Sequence, residues 1–222
     1  MNKGEKRLES FAVRKRRTLA MLRKLKRLFP NLAGTALYYR TEWQLLAAII
    51  LSARATDGQV NAITRELFKR YRDVNDYAAL KPNVLSRQIK RIGLYRNKTR
   101  AIIASAKIIR AKYSGHVPKE MPALLELPGV GRKTANVFLA ESCGVSAGIA
   151  VDTHVIRLTR KFVLAQGNVL ALERELMLLL PKSQWSNWTN HLIAYGRKYC
   201  PARQHDCASC PLSKLYPKAA RT

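Results

Sequence analysis

Apolar residues recur at the helical period along almost the whole chain, and the two-residue alternation of strands is hard to find, so the expected fold class is all-α. Helices are expected over Phe11 to Phe29, Trp43 to Ala53, Gly58 to Tyr71, Asn83 to Ile92, Lys98 to Tyr113, Arg132 to Ser142, Thr153 to Leu164, Val169 to Leu179 and Gln184 to Lys198. Between them stand the residues that stop helices: Pro30 with Gly34, Pro82, Gly93, Gly115 with Pro118, Gly129 with Gly131, Gly148, Gly167 and Pro181. No tandem repeat and no long linker is visible. In the first helix Leu19, Leu22, Leu25 and Leu28 are spaced by three. They give it one face to dock on the body and leave a solvated basic face, with a DNA-binding arm as the alternative.

The charge balance narrows the partners. Lys and Arg number 41 against 14 Asp and Glu, a formal net charge of +27. Such a surface releases counterions from a polyanion, and nucleic acid is the leading candidate. The longest apolar run, Leu45 to Leu51, is far short of the about 18 residues that a membrane span needs, so no membrane partner is expected. The basic first 30 residues are interrupted by Glu5 and Glu9 and lack the apolar core of a signal peptide. The expected location is therefore the cytoplasm of a prokaryote, at the nucleoid.

The segment from Leu124 to Asn136 joins a short apolar helix to a second helix through Gly129-Val130-Gly131. Glycines there let the main chain approach a ligand closely, and the unpaired N–H groups at the next helix start can bond phosphate oxygens. Arg132 and Lys133 add positive charge. On the residues alone this is either a plain helix connection or a phosphate grip. Three further segments stand in order along the chain: Leu51-Ser52-Ala53-Arg54-Ala55-Thr56-Asp57, Ile92-Gly93-Leu94-Tyr95 and Val151-Asp152-Thr153-His154. With the hairpin at Leu127 to Ala135, they resemble the endonuclease III family of helix-hairpin-helix DNA glycosylases over roughly Trp43 to Cys210. The resemblance implies two helical domains flanking a DNA-binding cleft. One is a six-helix barrel over 35–145 that carries the hairpin. The other is a helical iron-sulfur-type domain of 1–34 plus 146–222.

It implies a chemistry as well. A glycosylase that also cuts the backbone needs an amine to attack the sugar C1′ and form a Schiff base, which makes the 2′ proton acidic enough for β-elimination. Lysine suits this once its pKa, ordinarily about 10.4, is lowered by burial or by positive neighbours. The matching residue is Lys133, with Asp152 as the carboxylate that stabilises positive charge as the base leaves. Gly129, Val130, Gly131 and Arg132 would grip DNA. The resemblance also makes His154 a pocket-lining residue, whereas from the residues alone Lys133 is equally a solvated phosphate contact, Asp152 a helix N-cap and His154 a packing residue.

Attack at C1′ also requires the nucleotide to leave the stack, with side chains filling the gap. The resemblance puts Leu94 forward as an apolar wedge, and Arg54 stands where the family usually has glutamine. A guanidinium can stack on bases and bond guanine edges, which would alter the preference for the opposite base.

Three of the four cysteines crowd the C-terminus as Cys200-x6-Cys207-x2-Cys210, a metal-ligand pattern in an intracellular chain. They resemble the first three ligands of the family's 4Fe-4S cluster. The fourth position, five residues further on, is Tyr216, and Pro211, Leu212 and Pro217 keep the frame. Three outcomes remain open: a cluster completed by Tyr216 oxygen or another group, a lost or incomplete cluster, or zinc held by the three cysteines with His205. Cys143 is expected to be a small buried apolar residue.

The function expected is a bifunctional glycosylase and AP lyase of base excision repair. It would be a monomer acting on double-stranded DNA at oxidised pyrimidines and abasic sites. A mismatch glycosylase of the same superfamily and a non-catalytic DNA-binding protein are the alternatives.

Overall fold

A computed structural model of the chain describes residues 9–32, 34–144 and 146–216; Glu5 and Pro217 lie outside them. Among the described residues there are eleven α-helices and no strand. The helices are α1 Phe11–Leu28, α2 Glu42–Ser52, α3 Asp57–Arg70, α4 Val74–Ala79, α5 Pro82–Gln88, α6 Tyr95–Lys112, α7 Met121–Leu125, α8 Arg132–Cys143, α9 Thr153–Lys161, α10 Val169–Leu179 and α11 Trp185–Lys198. The fold is all-α. No described helix is long and apolar enough to cross a membrane.

The chain divides into two compact units. One is Thr35–Ala147; the other joins the described residues of Met1–Gly34 and Gly148–Thr222. The first is built round α2, whose residues Trp43 to Leu51 are all buried, and α3, α6 and α8 pack on it. A helix apolar on every side can only be a central one. Helices α4 and α5 pack on α6, and the single-turn α7 packs on α8 as the first arm of the hairpin. Thr41 caps α2 by accepting from the Gln44 N–H at 3.2 Å, and Thr56 with Gln59 forms a capping box on α3.

The second unit packs α1 against α10 and α11, and α9 against α10 and α11. Its core runs from Met21 and Leu25 through Val155, Phe162, Leu176, Trp188 and Tyr195 to Cys200, Cys210, Leu212 and Tyr216. The two ends of the cysteine loop, Cys200 and Cys210, are therefore anchored in this core.

Several helix bounds differ from the expected ones for local reasons. The helix expected from Thr153 to Leu164 stops at Lys161, because Val163 turns left-handed with φ 51° and the Leu164 N–H returns to the Thr159 carbonyl at 2.9 Å. Asn83 to Ile92 shortens to Pro82–Gln88, and α6 begins at Tyr95 rather than Lys98, because Leu94 at φ 60° forms its N-cap. Helix α4 has only six residues, too few to show a period, and depends on a capping box between Asp73 and Asp76.

On α1 the docked face keeps only Leu22 and Leu25 of the three-residue leucine stripe, with Leu19 and Leu28 half-buried. That face is Arg14, Arg17, Thr18, Met21, Leu22 and Leu25, at the true helical period. Arg14 donates to the Leu164 carbonyl at 2.6 Å and to Glu175 at 2.8 Å. Arg17 donates to the Phe162 carbonyl and to Glu9 at 2.6 Å. Two of the basic residues thus satisfy the carbonyls at the end of α9. Cys143 is half-buried at the end of α8, so the expectation of a buried residue is corrected.

Candidate functional site

The hairpin turn is set by Gly129. Its φ of 80° lies in the left-handed region, and a Cβ there would stand 2.8 Å from the Ala101 Cβ, so a side chain is excluded on two counts. The Val130 N–H donates to the Leu127 carbonyl at 3.0 Å, and Ser105 Oγ donates to the Pro128 carbonyl at 2.9 Å, tying the turn to α6. Val130 is buried and anchors the tip. Gly131 is the N-cap of α8 at φ −92°, with open space where a Cβ would be. Gly131, Arg132 and Lys133 are all exposed. The first N–H groups of a helix have no partner within it, so this turn presents donors and the positive end of the helix dipole beside two cationic side chains. The ε-amine of Lys133 rises from the first turn of α8.

In the same unit Arg54 and Leu94 are both exposed on left-handed backbone, at φ 54° and 60°. Few non-glycine residues adopt this conformation, and each instance costs of order 1–3 kcal/mol. Their loops are neighbours: a Cβ on Gly93 would stand 3.4 Å from the Arg54 carbonyl oxygen. Lys98 holds the Arg54 loop from behind. Its buried ammonium donates to the Leu51 carbonyl at 2.8 Å and to that of Ala53, the free carbonyls at the end of α2. Burial pulls the pKa of Lys98 below its usual value. Sequence reading passed over this residue. Its signal was a lysine on the same buried face of α6 as Ile102, Ala106 and Ile109.

Asp152 and His154 belong to the other unit. Asp152 is the N-cap of α9, and its Oδ1 accepts from the Val155 N–H at 2.8 Å. His154 lies against α11 at Gly196: a Cβ on that glycine would stand 2.5 Å from His154 Nδ1 and 3.0 Å from Arg157 Nη2. The close approach explains a glycine inside a helix.

The same unit gathers the cysteine loop. The ligand atoms of Cys200, His205 and Cys210 all lie within 4.8 Å of one another, a group able to bind a metal. Cys207 Sγ is 3.5 Å from His205 Nε2. Burial, together with the neighbouring Cys200 and Cys207, pushes the Cys210 thiol pKa up. Cations surround the thiols: Lys161 Nζ is 2.8 Å from Cys207 Sγ, and Arg157 Nη1 is 3.7 Å from Cys200 Sγ. Arg157, Arg160, Lys161 and Arg203 line an open hollow of about 710 Å³ along the loop. Three thiols and an imidazole are soft or borderline donors, the set that thiophilic metals and iron-sulfur clusters take. Arg157 and Lys161 were not anticipated; each is one residue in a chain full of arginine and lysine.

Comparisons with known proteins agree with this architecture. The family model described as HhH-GPD superfamily base excision DNA repair protein matches residues 47–182. The chain is 42% identical over 213 residues to the endonuclease III of Synechocystis sp. (strain ATCC 27184 / PCC 6803 / Kazusa), covering 96% of this chain and 97% of that one. It is 42% identical over 196 residues to that of Bacillus subtilis (strain 168), covering 87% and 89%. A solved structure of a trapped endonuclease III–DNA covalent intermediate, in an estranged-adenine complex, superposes with a TM-score of 0.87. It is 39% identical, covering 93% of this chain and 97% of the other.

Proposed function

This chain belongs to the endonuclease III family, within the HhH-GPD superfamily of base excision DNA repair proteins, and from that premise we propose that Lys133 is the nucleophile of a bifunctional DNA glycosylase and AP lyase. The observation that carries the reading is the exposed lysine in the first turn of α8, directly behind a glycine turn that takes no side chain at Gly129. Oxidised pyrimidines and abasic sites in double-stranded DNA are its substrates. The protein works as a monomer in the bacterial cytoplasm, at the nucleoid.

In the excision step the Lys133 amine attacks C1′ of the damaged nucleotide, a C–N bond forms, and the C1′–base bond breaks with its electron pair leaving on the base. A Schiff base then forms as the sugar ring opens. Loss of a 2′ proton expels the 3′ phosphate by β-elimination, which nicks the strand. Arg132 and the start of α8 supply positive potential that draws the DNA phosphates toward the turn. Asp152 stabilises the positive charge that develops on the sugar. Gly131 and Arg132, on the turn that Gly129 and Val130 set, hold the phosphate backbone, Leu94 and Arg54 fill the space left by the extruded nucleotide, and His154 supports the base pocket.

Cys200, Cys207 and Cys210 of the C-terminal loop would hold the 4Fe-4S cluster that the family implies. When bound, the cluster supplies a rigid crosslink within the loop rather than a chemical step. Arg203 and Lys214 on that loop meet DNA phosphates.

The test is single-turnover kinetics on a duplex with one oxidised pyrimidine. Lys133→Gln lowers both base release and strand nicking by about a thousandfold or more while duplex affinity changes little. A variant that still nicks at the wild-type rate removes Lys133 from the chemistry.

A further inference from the structure

The sequence frame puts Tyr216 where a fourth thiolate ligand would stand, but the structure gives Tyr216 a different occupation. It is 8% exposed and belongs to the apolar core with Met21 and Leu212. The guanidinium carbon of Arg17 lies 4.2 Å from the centre of its ring. That arginine is fixed in turn by the Phe162 carbonyl and Glu9. The ring thus forms a cation–π pair inside the core. A phenol oxygen is also a hard donor, poorly matched to a centre of soft thiolates.

His205 has the geometry of a ligand. Its Nδ1 is 2.9 Å from the Arg203 carbonyl oxygen, which can only accept, so Nδ1 carries the hydrogen. In the neutral imidazole Nε2 then holds a lone pair, and it is 3.5 Å from Cys207 Sγ. A backbone carbonyl fixing one ring nitrogen while the other is offered to the metal is the usual arrangement of a ligating histidine. The same residue falls within the 4.8 Å group with Cys200 and Cys210.

We infer that His205 Nε2, and not Tyr216, is the fourth ligand of the C-terminal metal centre, giving a Cys3His set of Cys200, His205, Cys207 and Cys210. The inference rests on the reading of this loop as a metal site. On binding, each of the three thiols gives its proton to solvent and the imidazole gives none. A neutral ligand in place of a thiolate leaves the centre one negative charge lighter. Histidine for cysteine is the exchange that raises the potential of iron-sulfur centres.

The experiment uses the full chain as purified, with His205→Ala, His205→Cys and Tyr216→Phe prepared alongside. Iron, acid-labile sulfide and zinc are measured per chain before and after chelator challenge, with circular dichroism to confirm helical content. Tyr216→Phe is expected to keep the wild-type metal content, His205→Ala to become about tenfold or more easier to strip, and His205→Cys to restore retention. Pulsed EPR of the reduced protein labelled with 15N-histidine should show a nitrogen coupling in wild type and Tyr216→Phe that vanishes in His205→Cys. Iron-loaded wild type without that coupling, or metal lost from Tyr216→Phe but kept by His205→Ala, overturns the ligand assignment. Stoichiometric zinc whose retention depends on His205 overturns the cluster reading and leaves the ligand assignment standing. A chain that binds neither metal overturns both.

Discussion

In the unit of Thr35–Ala147 the candidate residues Arg54, Leu94 and Lys133 project into solvent, and what fixes them is backbone: left-handed turns at Arg54, Leu94 and Gly129, with Lys98 bracing the end of α2. In the other unit Asp152, His154 and the cysteine loop are held by their own side chains, as a helix cap, a ring pressed on Gly196 and a cluster of thiols joined to the apolar core. The contrast separates two ways of positioning chemistry. Where backbone presents a side chain, its identity can change without cost to the fold. Where the side chain is itself a structural bond, fold and function are altered together unless the substitution keeps the bond.

Asp152 gives the sharpest form of this contrast and, after Lys133, the largest expected effect. Asparagine caps a helix about as well as aspartate, so Asp152→Asn should stay within about 0.5 kcal/mol of wild-type stability, whereas Asp152→Ala should lose about 1 kcal/mol. Both should slow base release by about a hundredfold or more, because the carboxylate charge is gone. Denaturant melts beside single-turnover excision rates separate the two effects. Equal rates for Asp152→Asn and wild type would reduce Asp152 to a cap.

In the first unit the backbone residue, not the displayed one, should carry the stability. Gly129→Ala pays for left-handed φ and for a contact with Ala101, together about 2–4 kcal/mol by denaturant melt. Gly131→Ala, at negative φ and in open space, should cost less than about 1 kcal/mol, the difference between two N-cap residues. Equal losses at the two glycines would mean that the turn is not set at Gly129.

The smallest effect is expected at Arg54. Arg54→Gln should leave the melt unchanged within about 0.5 kcal/mol. It should also alter the ranking of excision rates opposite the four bases by about fivefold to tenfold, since a guanidinium and an amide bond different base edges. Identical profiles would show that Arg54 does not read the opposite strand.

The helical class was legible because the apolar period is strong in α6, α10 and α11. The hairpin was legible for a different reason: Gly129 has no substitute at φ 80° beside Ala101, so the backbone demand is written directly in the sequence. Helix α4 was not legible, since six residues show no period and its stability lies in caps. Lys98 was hidden because only the carbonyls it meets, at Leu51 and Ala53, distinguish it from the surface lysines. Arg14 and Arg17 read as solvated charge, yet they are buried against the carbonyls of Leu164 and Phe162, contacts about 150 residues away along the chain. The donor role argued for His205 rests on the Arg203 carbonyl that fixes its ring, which the sequence does not show.

The nucleophile itself is tested most directly by borohydride trapping on a duplex with one abasic site. Wild type and Arg54→Gln should give a stable covalent protein–DNA adduct with the link mapped by mass spectrometry to Lys133. Lys133→Gln should bind the same duplex and give none. A wild-type protein that binds tightly without an adduct, or an adduct that persists in Lys133→Gln, would contradict Lys133 as the attacking amine.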